Sequence, residues 1–292
     1  MRTGKSLFYI VIISFNLLAC NALAESSVWK VSKGESYFYL GGTIHLLKAD
    51  DHPLPAAFNT AFKDAGTVFF ETDLDTSQSP EFQSKLMAAM TFSDDRTLTS
   101  ELKPETFQQL EAFLISRQIP IANFAKFQPW GVSLIAAMLE YQRLGMLPQY
   151  GVDAHFNKLA RSENKKIMSL ETLEQQLSFI ISMAKVDPNT AIEYTLRDLE
   201  HLPEFIQSMK ESWRSGDMEA FSKNAFITQM EIEFPEMYNT LVTTRNDAWM
   251  EQLPALIEDN NIEFVMVGAM HLIGTKGLLN QLKAQGFMLE QL

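Results

Sequence analysis

Two of the chain's five histidines share a setting: His45 in Tyr39-Leu-Gly-Gly-Thr-Ile-His-Leu-Leu47, and His271 in Met266-Val-Gly-Ala-Met-His-Leu-Ile273. Each follows an apolar run, has a glycine three positions earlier (Gly42 and Gly268), and is followed by two aliphatic residues. Imidazole exchanges a proton near neutral pH and offers a lone pair to a metal ion. Two acids end comparable runs, Glu71 after Thr67-Val-Phe-Phe70 and Glu171 after Lys166-Ile-Met-Ser-Leu170. Two imidazoles with one or two carboxylates can hold Zn²⁺, Mn²⁺ or Fe²⁺ with positions left for water. Such an ion acidifies its water and polarises a carbonyl, while a carboxylate not committed to the metal takes up a proton. The chemistry implied is hydrolysis of an amide or ester. Arg245 and Asn246 precede the run that carries the second motif and could stabilise an oxyanion in the same crevice; an ion pair or helix cap is equally open. Capping roles are also open to Glu71, at the following turn, and to Glu171, ahead of a helix from Thr172.

For these groups to meet, the elements carrying them must end together. The run 36–42 reads as a strand buried on both faces, 53–66 as a helix opened by Pro53 and Pro55, and 67–70 as a second strand. A strand-helix-strand unit of this kind has parallel and often adjacent strands, which sets His45 and Glu71 at one sheet edge. The C-terminal part repeats the logic: a helix over 246–259, a strand over 262–267, a helix over 275–284 and a last strand after Gly286. Between them, about 79–245 reads as a helical insertion, including 130–144, an amphipathic 151–162 and a long pattern over 193–213. The expectation is an α/β fold: a central, mostly parallel sheet formed by N- and C-terminal β-α-β units, each carrying a Gly-x-x-His motif, with the site at the carboxyl ends of the strands. Residues 25–292 are expected to form a single domain.

Residues 1–24 have a different composition. Arg2 and Lys5 precede the apolar run 7–19, and Ala22-Leu-Ala24 fits signal-peptide cleavage before Glu25. The run is shorter than the roughly 20 residues of a bilayer span. A periplasmic or secreted protein with no membrane span in the mature chain is therefore expected. The alternative is a lipid anchor at Cys20, within Leu17-Leu-Ala-Cys20, and this is the chain's one cysteine. With cleavage after Ala24 no thiol remains for disulfides or catalysis. A formal net charge of −12 over 292 residues argues against a nucleic-acid partner. The chain lacks His-Glu-x-x-His, Gly-x-Ser-x-Gly, a phosphate-binding Gly-x-x-x-x-Gly-Lys and a dinucleotide glycine fingerprint.

The segments Leu40-Gly-Gly-Thr-Ile-His45, Phe69-Phe-Glu-Thr-Asp73, Gly151-Val-Asp153, Leu170-Glu-Thr-Leu-Glu174, Arg245-Asn246 with Trp249, and Val267-Gly-Ala-Met-His271 resemble the TraB/GumN family over residues 28–292. Through it they resemble the Tiki metalloproteases and the erythromycin esterase and ChaN-like superfamily. The resemblance implies an EreA/ChaN-like fold. From the Tiki branch it implies a peptidase using a divalent metal, Mn or Co, on His45, Glu71 and His271; Zn is added by the donor types. The esterase branch implies hydrolysis at equivalent positions with no obligatory metal, His45 acting as base. Peptide or small-molecule substrates follow from either. A third reading is a non-catalytic haem or metal binder, for which 15 methionines and 21 phenylalanines offer an apolar lining that core packing explains equally well.

Overall fold

Six short strands organise the chain: β1 (Val28–Lys33), β2 (Ser36–Thr43), β3 (Thr67–Phe70), β4 (Lys166–Ser169), β5 (Glu263–Gly268) and β6 (Met288–Gln291). In the computed structural model, which describes residues 26–258 and 261–292, they form one mixed sheet in the order β4-β3-β5-β2-β1-β6. The pairs β4-β3, β3-β5 and β5-β2 are parallel, whereas β1 is antiparallel to both β2 and β6. Successive residues of β5 face opposite ways: Phe264 and Met266 pack with Phe58, Phe156 and Trp213, and Val265 and Val267 with Trp29, Leu40 and Trp249. Both faces are thus covered, as an apolar run with no polar alternation requires. Full burial of each such side chain contributes about 1.5–3 kcal/mol.

Helices fill the chain between β3 and β5, interrupted by β4, and add cores of their own. Leu110, Leu114, Val132 and Ile192 form one cluster, and Ala136, Leu199, Leu202 and Ile206 another. The α/β architecture and the helix-rich centre agree with the sequence expectation. Four details differ. The sheet is mixed because β1, not anticipated, forms a hairpin with β2 through a two-residue turn. The strands β2 and β3 are not neighbours, since β5 lies between them. The pattern over 193–213 is split into Pro188–Glu200 and Leu202–Ser215, because Pro203 is tolerated only in a helix's first turn. Likewise the helix expected over 246–259 is observed as Thr244–Trp249 and a 3-10 segment Leu253–Ile257 that carries Pro254 in its first turn. The export segment 1–24, with Cys20, lies outside the described residues. Among the described residues no helix is long and apolar enough to cross a membrane.

Candidate active site

The carboxyl ends of four adjacent parallel strands line up, and each delivers a polar group. Glu171 follows β4, Glu71 follows β3, Gly268 ends β5, and His45 lies two residues beyond β2. The register pairs Thr43 with Gly268, so the two Gly-x-x-His motifs leave the sheet side by side. They then diverge. After β2 the chain continues as an open loop that leaves the His45 side chain 58% exposed, whereas after β5 a 3-10 turn, Ala269–Leu272, folds His271 inward to 6%. A Cβ on Gly42 would stand 2.6 Å from Leu272 Cδ1, so this glycine lets β2 pack against that turn. A Cβ on Gly268 would stand 3.3 Å from both Glu71 Oε1 and His45 Nε2, so the site groups converge over its bare backbone.

The buried part of the site is organised by Arg245, on the helix Thr244–Trp249. Its Nε and Nη2 donate to the two oxygens of Glu171 at 3.0 and 2.7 Å, and Nη2 also donates to Glu71 Oε2 at 2.5 Å. Nη1 donates to His271 Nε2 at 3.1 Å and to the Leu241 carbonyl at 3.3 Å, so all five N–H groups are used. Asn246 fixes the histidine's tautomer. Its Nδ2 donates to the carbonyls of His271 and Lys276, which leaves Oδ1 to accept from His271 Nδ1 at 2.7 Å. His271 Nε2 therefore carries a lone pair that faces a guanidinium, and the ring is neutral. Burial, with Arg245 and His45 beside it, pushes the imidazole down to about 3, against the pull of Glu71.

Burial alone would raise the Glu71 carboxyl, but Arg245, His271, His45 and the Gly268 N–H, which donates to Oε1 at 2.6 Å, together hold it well below the usual carboxylate range. Burial raises Glu171 despite its paired contact with Arg245. One guanidinium between two carboxylates leaves one negative charge in the cluster, placed on the side that His45 faces.

His45 has a different partner. Its Nδ1 lies 2.7 Å from Asp153 Oδ2, while Asp153 Oδ1 accepts from the Thr43 hydroxyl at 2.9 Å. Asp153 stands in the first turn of the helix Val152–Ser162, and Gly151 allows that helix its position: a Cβ there would fall 2.1 Å from the His45 carbonyl oxygen. Asp153 raises the His45 imidazole to about 9, against partial desolvation; water on the ring's exposed edge screens some of that pull. Nε2 is left facing Glu71 Oε1 at 3.9 Å and an open cleft of about 850 Å³ walled by Gln78, Gln83, Asn157 and Lys158.

The residues singled out from the sequence, His45, Glu71, Glu171, Arg245, Asn246 and His271, thus fall in one cluster. Asp153 had no role assigned from sequence; the signal was the short Gly151-Val-Asp153 segment, whose glycine marks a close approach. As a metal site the set is incomplete. Both histidines have Nδ1 held by an oxygen and Nε2 within 3.9 Å of Glu71 Oε1, an orientation that ligating imidazoles share. However, the Arg245 guanidinium stands at His271 Nε2 and pairs with both carboxylates, so it supplies the positive charge a bound cation would bring. Among the described residues no group of three or more ligating side chains is arranged for a metal. As arranged, the residues do not fit one.

Comparison with known proteins places this geometry in context. Residues 27–291 match the profile described as the TraB/PrgY/gumN family. The chain is 26% identical over 251 residues to the uncharacterized protein YbaP of Escherichia coli (strain K12), covering 86% of this chain and 89% of that one. A relative of the same description from Shigella flexneri matches with the same identity and coverage. No solved structure matches the chain.

Proposed function

This chain belongs to the TraB/PrgY/gumN family, and from that premise we propose that it is an exported hydrolase that cleaves an amide or ester bond with His45 as general base. One observation carries the reading: His45 is oriented through Nδ1 by buried Asp153 and turns its free Nε2 to an open cleft beside an ionised Glu71. The 3.9 Å between Nε2 and Glu71 Oε1 is a gap one water molecule can bridge. In the neutral ring Nε2 takes a proton from that water as its oxygen attacks the substrate carbonyl. Asp153 and Glu71 stabilise the imidazolium formed, and the same proton passes to the leaving group. Arg245 keeps Glu71 ionised and in place. The polar cleft suits a peptide-like or small polar substrate, and an EreA/ChaN-like descent accords with the motif pair at adjacent strand ends. Export, to the periplasm or beyond, rests on the composition of residues 1–24.

A second reading, a metal-dependent peptidase using Mn, Co or Zn on His45, His271 and Glu71, draws support from the two Nε2 atoms that face one carboxylate oxygen. It requires Arg245 to release His271. Hydrolysis of an ester and peptide library with and without chelator separates the two. We expect chelator-resistant activity that His45→Ala lowers at least about a hundredfold while the circular dichroism spectrum stays native, with some loss of thermal stability because buried Asp153 loses its partner. Stoichiometric bound metal, lost together with activity on chelation, would replace this reading with the second.

A further inference from the structure

Away from the sheet, the helices Pro129–Arg143 and Pro188–Glu200 enclose, with residues 226–241, a pocket of about 270 Å³. Trp130, Leu134, Met183, Met230 and Phe234 make its wall apolar. Against this lining stands one carboxyl group. Asp198 is 5% exposed; the Tyr194 hydroxyl, on the same pocket wall, is a weak donor to its carboxyl, and Oδ1 has no contact of full hydrogen-bond geometry among the described residues. Arg197 Nε lies 3.6 Å from that oxygen, too far for a hydrogen bond, while its terminal nitrogens turn to Glu233 at 3.2 Å. Two carboxylates thus share one guanidinium. Burial pushes the Asp198 carboxyl up to about 6, against the pull of Arg197, so it is largely ionised at neutral pH. A buried carboxylate that is only weakly hydrogen-bonded keeps part of its desolvation cost, which a charged N–H group from a ligand offsets.

We propose that this pocket is a binding site for an apolar chain ending in a primary ammonium group, with the chain against Trp130 and the methionines and the ammonium on the Asp198 carboxylate. The site adjoins the catalytic cluster without sharing its residues: Leu241 closes one end and accepts from Arg245 through its carbonyl, and Tyr141 also lines the apolar recess beside His45. Occupancy is read by binding alone and does not depend on what His45 catalyses.

Calorimetric titration of the full chain with hexylamine, octylamine, octanol and octanoate tests the assignment. One octylamine should bind per chain, with affinity rising about fourfold per methylene from hexylamine. Octanoate, its charge facing Asp198, should bind at least about tenfold more weakly than octylamine. Asp198→Asn should bring octylamine down to the affinity of octanol while leaving octanol binding intact. Ala137→Phe, which fills the pocket, should abolish both with an unchanged circular dichroism spectrum. The proposal is overturned if octylamine shows no saturable binding to the unaltered chain, if it binds there no better than octanoate, or if either variant leaves its affinity unchanged.

Discussion

His45 and His271 show how far environment separates two copies of one residue. His45 gains an anion at Nδ1 and titrates up to about 9; His271 is buried against a cation and titrates down to about 3. Only the first can exchange protons with a substrate in the cleft. A general base acts in its neutral form, so kcat/KM should climb with pH through the His45 value and level off above it. Asp153→Asn removes the charge that sets this value. The rising limb should then shift toward the ordinary histidine range near 6.5, and the plateau should fall about a hundredfold as orientation is lost. A limb that stays in place would show that His45 is not the titrating base. Arg245 adds a point that chemistry-bearing residue types alone do not convey: a buried arginine with every N–H committed organises carboxylates before it can serve a transition state.

At the scale of elements, two junctions set the geometry. In the first, parallel β2 and β5 end in register and release both motifs at the same level. In the second, the helix Val152–Ser162 meets the His45 loop, with Val152 N–H donating to the Ile44 carbonyl at 3.1 Å and Gly151 against the His45 carbonyl. Gly151→Ala should force these apart. The expected result is a His45 pKa, followed by NMR, that falls from about 9 toward 6.5, with a loss of at least about 1 kcal/mol in stability from the overpacked contact. A variant with the native His45 titration would show that the helix is not held by this contact.

For the molecule as a whole, burying a neutral imidazole and an ionised carboxylate links stability to pH. Between the unfolded value of 6.5 and the folded value of about 3, an unfolded chain binds a proton that buried His271 refuses. Stability should therefore fall as pH falls through that window. Glu71, depressed when folded, contributes stability that is present above its unfolded value of 4.5 and is lost progressively as pH falls below it. Denaturant midpoints taken between about pH 6.5 and 4.5 should thus decline in the unaltered chain and decline less in His271→Gln. Equal slopes in the two proteins would mean that His271 does not stay neutral in the fold.

The local code was enough to find the motifs, because a buried strand ended by glycine and followed by a functional residue is a short-range pattern. Strands β2 to β6 and the helix-rich centre follow from apolar runs and from prolines and glycines at their boundaries. Grouping His45, Glu71, Glu171, Arg245 and His271 was legible as well, since parallel strands deliver their carboxyl ends to one edge. What the sequence did not hold is pairing. The order in which β5 separates β2 from β3, the antiparallel β1, the contact of Asp153 with His45 across 108 positions, and the capture of Glu71 and Glu171 by Arg245 all depend on long-range packing. Residue type names the groups able to do chemistry; their charge states and partners are set only when burial removes water and a distant side chain takes its place.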